Sequence, residues 1–247
     1  MRILRAPRTA PARRPAAAAA ALLALALATP AHALVVWPDD ADWVTLRDAS
    51  GNPVTDPDGP SPDVTDIVGT TSLPAGYWYF DDTNLFFRMR LDRDPGSNLT
   101  AVWQVMLDTD SDSGIDWVLQ LDESGDNQME LVQATTEGPD FDDVVLDDAP
   151  DGLDPSTGWQ GPTSTYSRIG ATNETNLYGN FSDVFLDLAI PFSAFGLATG
   201  LTTSDAFRVG LTTSTTHSGI NKEFPQSLTA SSSVDSGFGE SMSADGG

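Results

Sequence analysis

The sequence has no cysteine, a single lysine at Lys222, and two histidines, His32 and His217. Zero cysteine removes disulfides, thiolate nucleophiles, iron–sulfur clusters and cysteine-based zinc sites together. His32 falls in a segment expected to be cleaved, so His217 stands alone and histidine-rich zinc sites are excluded by count. A Ser-His-Asp site would have to use His217, and no Gly-x-Ser-x-Gly elbow is present. Positive charge is scarce: 12 basic residues face 36 acidic ones. Arg2, Arg5, Arg8, Arg13 and Arg14 all lie in the first 33 residues, which hold no acid. Residues 34–247 therefore carry 12 − 5 = 7 basic groups and a formal charge of 7 − 36 = −29. A field of that sign repels phosphate backbones and anionic headgroups, so nucleic acid and membrane surfaces are poor partners. At 40% hydrophobic and 9% aromatic, the chain is still apolar enough to fold, and one domain is expected.

The beginning of the chain has the layout of an export signal. Arginines come first, then an apolar run from Ala16 to Ala28, then Ala31-His32-Ala33. Thirteen apolar residues are too few for a spanning helix, which needs roughly 20. The small residues at Ala31 and Ala33 place cleavage between Ala33 and Leu34. No second apolar span follows, so the expected mature protein is secreted and is not inserted in a membrane.

Long stretches with an apolar period of three to four residues are missing after Leu34, and period-two alternation takes their place. Leu85, Phe87, Met89 and Leu91 share one face, while Arg88 and Arg90 point the other way. Trp103, Val105 and Leu107 make the next stripe, followed by Trp117, Leu119 and Leu121, and later by Val184, Leu186, Leu188 and Ile190. Further strands are expected at 77–80, 129–133, 144–146, 166–172 and 207–213, separated by Asp-, Asn- and Gly-rich turns. Roughly nine or more short strands with one apolar face each predict an antiparallel two-sheet β-sandwich, jelly-roll or immunoglobulin-like, over residues 34–225. One helical turn is expected at 192–197 with Ser193 as its cap. Residues 226–247, rich in Ser, Gly and Asp, are expected to form a flexible tail.

Several phrases occur in order: Asp63-Val64-Thr65-Asp66-Ile67, Tyr79-Phe80-Asp81-Asp82-Thr83-Asn84-Leu85-Phe86-Phe87-Arg88, Trp103 to Asp110, Asp116 to Leu119, and Asp187-Leu188-Ala189-Ile190-Pro191-Phe192. This order resembles the DOMON-like β-sandwiches, which include the family 9 carbohydrate-binding modules and many secreted bacterial proteins. The resemblance spans most of residues 37–215. It implies a sandwich that binds sugar or haem, carries structural calcium, or holds no ligand, and it assigns no binding residue in this chain. The haem reading needs Met and His or Lys to converge, and Met89 is patterned as core.

Two features could carry chemistry. In Asp108-Thr109-Asp110-Ser111-Asp112-Ser113-Gly114-Ile115-Asp116, carboxylates recur at every second position of a tight loop. Calcium takes six to eight oxygen ligands at about 2.3–2.6 Å, so Asp108, Asp110, Asp112 and Asp116 are candidate ligands. The loop is not an EF-hand, and its plainer reading is a solvated acidic hairpin. The acidic excess also suits a halophile's surface. The second feature is aromatic. Trp103 and Trp117 pattern as core, but Trp159 sits among Gly and Pro with no apolar period, beside Gln160. A ring and an amide there suit a sugar face, or the ring folds back as a lid. Trp78, opposite in sense to Tyr77 and Tyr79, is a third candidate facing solvent. No pair of carboxylates is marked out for glycoside cleavage. The sequence is therefore read as a non-catalytic secreted module that binds polysaccharide or cell-surface glycan, with calcium as candidate cofactor. The alternative is a structural or adhesive component of a surface layer or matrix, without a small ligand.

Overall fold

Alternation in the segment around Leu85 to Leu91 can bury one side only if a second sheet faces it, and the fold supplies that sheet. The computed structural model describes residues 35–57, 59, 64–96, 101–122, 128–136, 138, 140–147, 158–172, 176–178, 181–226, 228 and 237–244. The expected signal segment, residues 1–33, lies outside them. The first sheet runs β1 (Val44–Thr45), β2 (Gly76–Phe80), β3 (Asn84–Leu91), β10 (Val184–Pro191) and β9 (Ser167–Ala171) in spatial order. The second runs β12 (Ser241–Met242), β11 (Phe207–Ser214), β4 (Val102–Asp108), β5 (Trp117–Asp122), β6 (Gln128–Thr136) and β7 (Val145–Leu146). A further strand, β8 (Gly158–Pro162), pairs with the first half of β6. All pairings are antiparallel, so the expected two-sheet all-β sandwich is the observed fold.

The core follows the alternation. Leu85, Phe87, Met89 and Leu91 meet Trp103, Val105, Leu107, Leu119, Leu121, Leu186 and Leu188 in one cluster, nearly all of them fully buried. Trp103 lies at its centre, and its indole N–H donates to the Val64 carbonyl at 3.1 Å, which satisfies the one polar atom the ring carries inside. The helix that follows β10, Phe192–Thr199, starts where expected, but Ser193 does not cap it. Pro191 occupies the cap position, and the Phe192 N–H donates instead to the Thr83 carbonyl at 2.8 Å. Gly200, at φ 80°, ends the helix in the left-handed region, where the absence of a Cβ removes the penalty.

Two expectations are corrected. Strands β3 and β4 are buried along their whole length, not on one face. A second apolar cluster covers the outer face of the second sheet: Met106, Val118 and Val132 pack beneath Phe141, Val144, Ile220, Phe224 and Phe238. The second correction concerns residues 237–244 of the segment expected as a tail; 227, 229–236 and 245–247 lie outside the described residues. Within it, Ser241–Met242 pairs with β11, Gly239 bridges Asp48, and Phe238 is buried under the second sheet. Sparse apolar residues anchor a Ser/Gly-rich segment when the sheet offers both an edge and a hydrophobic slot. Phe238 is the sharpest test of this anchoring. Phe238→Ala is expected to cost about 3–5 kcal/mol, or roughly 6–20 °C in Tm for a domain of this size. An unchanged melting curve would restore the tail reading.

Candidate functional site

The acidic loop joins β4 to β5, because Asp108 ends one strand and Asp116 stands just before the next. Its turns are built from its own carboxylates. Asp108 Oδ1 accepts the Ser111 N–H at 2.7 Å, and Asp116 Oδ2 accepts the Thr109 N–H at 2.6 Å and the Thr109 hydroxyl at 2.7 Å. Ser111 and Ser113 hold positive φ, at 65° and 80°. One carboxylate oxygen each from Asp108, Asp110 and Asp116 lies within 4.8 Å of the others. Asp112 is not in this group; its Oδ1 accepts the Gly114 N–H at 2.8 Å. Arg208, directly opposite Asp108 in the β11–β4 register, pairs with Asp108 Oδ2. Four loop carboxylates and the Arg208 guanidinium leave a formal 1 − 4 = −3. The Asp112 N–H pulls the Asp110 carboxyl down, but repulsion from Asp116, Asp112 and Asp108, together with slight desolvation, leaves it raised. The donor set, oxygen throughout, fits a hard cation.

The three residues singled out for sugar binding do not come together. Trp159 lies on β8, not in a loop, on a rung that reads Leu211, Val105, Leu119, Leu131, Trp159 across five strands. Its ring is half-buried against Tyr166, edge-on with centroids 4.9 Å apart. Gly161 makes room, since a Cβ there would come within 2.5 Å of the Trp159 ring. Gln160 therefore points to the opposite face, where its amide donates to Glu130 at 2.7 Å. That bond ends a buried polar ladder in which Gln104 donates to Gln120 at 3.1 Å and Gln120 to Glu130 at 3.1 Å. Trp78 sits opposite Phe87 and is buried, so it faces the core and not solvent. The alternation of 77–79 was legible in the sequence, but its sense was inverted.

That inversion puts Tyr77 on the outer face of the first sheet, in a rung reading Thr45, Tyr77, Arg88, Asp187, Arg168. Arg88 and Asp187 are buried, at 4% and 0% side-chain exposure. Arg88 Nε and Nη2 donate to the two Asp187 oxygens at 2.6 and 2.9 Å, and Nη1 donates to Asp40 at 3.0 Å. Arg168 Nε adds a bond to Asp187 at 2.7 Å. The Arg88 guanidinium lies between two rings, 4.2 Å from the Trp43 centroid and 4.4 Å from that of Phe185. Burial alone would lower its pKa, but the hydrogen-bonded Asp187 and Asp40 carboxylates more than offset this and leave it raised.

A recess of about 330 Å³ opens over this rung, walled by Trp43, Tyr77 and Phe185 and lined also by Asp40, Leu73, Arg88 and Arg90. Sequence reading placed the two arginines off the core face. It missed the site because Trp43 arrives from a segment 45 residues away from Arg88, outside any strand pattern. The recess joins apolar walls to fixed charges, the composition expected of a small-ligand site.

The rung makes a graded prediction. Asp187→Asn leaves two guanidinium groups facing a neutral amide, with an expected loss of about 3–5 kcal/mol. Asp40, whose side chain is 68% exposed, should cost under about 1 kcal/mol as Asp40→Asn. Urea midpoints compare the two, and equal losses would contradict the burial argument. No family model matches this chain, and neither a curated protein nor a solved structure is similar to it.

Proposed function

We propose that the protein is a secreted, non-catalytic β-sandwich module that binds carbohydrate in the recess over the first sheet, with a structural calcium ion at the 108–116 loop. The observation that carries this reading is the pairing of three rings with an immobilised Arg88 in one recess. Pyranose C–H faces are apolar and stack on rings, and a charged group fixed beside the rings orients a polar ligand. Tyr77 is the half-buried wall, T-shaped against Phe185 at 5.8 Å, and is the ring a ligand meets. The order of sequence phrases shared with sugar-binding sandwiches supports the same reading. At about 330 Å³ the recess is near the lower end of ligand sites, roughly 300–1,000 Å³, so a small saccharide or a chain end suits it better than the middle of a long polymer.

For calcium, Asp108, Asp110 and Asp116 would hold the ion, which would supply the charge that offsets their mutual repulsion. Asp108 closes one core strand and Asp116 precedes the next, so binding is expected to register as stability.

Two measurements test the module. On a glycan array with millimolar calcium, the wild type should retain at least one saccharide. Tyr77→Ala should weaken retention about tenfold or more, by loss of a stacking ring, while Trp159→Ala should leave it unchanged. Retention of nothing would favour the structural or adhesive role. In thermal melting, calcium at about 100 times its dissociation constant adds roughly 2.7 kcal/mol, which is several degrees at about 2–4 °C per kcal/mol. Magnesium should substitute poorly, and Asp110→Ala should remove the increment. Identical wild-type melts in calcium and chelator would leave the loop a plain acidic turn.

A further inference from the structure

The two arginines of the recess are not equivalent. Arg88 makes three charge-assisted hydrogen bonds of 2.6, 2.9 and 3.0 Å. Arg90, only 3% exposed, makes none of comparable quality among the described residues. Its Nε reaches the Pro74 carbonyl at 3.5 Å, its Nη1 stands 3.5 Å from Asp183 Oδ2, and neither of those two charged atoms has a hydrogen-bond partner. The Phe185 ring lies 4.7 Å from its guanidinium carbon and gives no acceptor. Across the same recess, the Trp43 indole N–H is buried and likewise has no acceptor. The lining therefore has donors to spare. Its one carboxylate, Asp40, is already engaged by Arg88.

Arg90 and Asp183 thus form a buried ion pair at long range, and a further planar acceptor of opposite charge at hydrogen-bonding distance would complete the bonding of the guanidinium. Resting on the carbohydrate reading of the recess, we infer that its ligand is an acidic saccharide: a uronate whose carboxylate pairs with Arg90 while its ring stacks on Tyr77. The net negative charge of the chain does not oppose this at physiological salt. Charges beyond about 8 Å are screened at 0.15 M, whereas a contact inside the recess is screened far less. Hydrogen bonds to a charged group are worth about 1.5–3 kcal/mol, which corresponds to a preference of roughly 10- to 100-fold for the acid over its neutral counterpart.

The probes are short oligogalacturonate, glucuronoxylan and alginate saccharides, each paired with its carboxyl-reduced form and titrated into the mature protein at 0.15 M salt. The acid member of at least one pair should bind tenfold or more tightly than its reduced form. Arg90→Gln should abolish that preference while leaving the reduced form's affinity intact, and Arg90→Lys should restore it in part. Melting curves will show whether each variant is folded, and the wild-type comparison needs no variant. Equal binding of acid and reduced forms would overturn the uronate assignment and leave the carbohydrate reading standing. Binding of neither, with neutral glycans also failing on the array, would overturn both.

Discussion

The buried pair between Arg88 and Asp187 is the contact on which the first sheet's outer face depends. A guanidinium and a carboxylate removed from water each carry a desolvation penalty of several kcal/mol, repaid only when the geometry is good and every remaining donor is used. Here two strands in exact opposition supply the bidentate contact, Arg168 shares the carboxylate from the next strand, and Asp40 takes the last guanidinium nitrogen. Because Asp40 and Trp43 come from the segment before β1, that segment has to lie across the sheet. The charge pair thereby turns an outer face into a second interior.

The second sheet solves the same problem with three amides and one carboxylate. Its ladder of Gln104, Gln120, Glu130 and Gln160 occupies one rung across four strands and lies beneath a separate apolar cluster. Polar side chains that hydrogen-bond along a rung can be buried without exposing the sheet, and they fix register because a slip by one residue breaks every link. The two sheets differ in how their outer faces are covered. The cover over the second sheet brings three Phe rings, Phe141, Phe224 and Phe238, whereas over the first sheet Trp43 and Phe185 enclose the Arg88 guanidinium and border a recess. The acidic loop lies elsewhere, at the β4–β5 turn.

Much of this was legible in the sequence, for physical reasons. Alternation with period two follows from the pleat itself, so β3, β4, β5, β10 and β11 could be placed with Leu85, Trp103, Trp117, Val184 and Phe207 on them. The acidic loop was legible too, because its carboxylates are near neighbours in the chain. Other elements carry no local signal. Strand β8 has a single large apolar residue between glycines, and β12 is two residues long. Their pairing comes from β6 and β11, not from their own propensity. The sequence by itself determined the strand faces, the negative charge and the turn chemistry, since these depend on residues a few positions apart. Only the tertiary structure decided which outer faces are covered, that Trp159 and Trp78 turn inward, and that Trp43, Tyr77, Arg88 and Phe185 meet. Those outcomes depend on which distant segment buries an otherwise unpaired charge, and no window of sequence contains both partners.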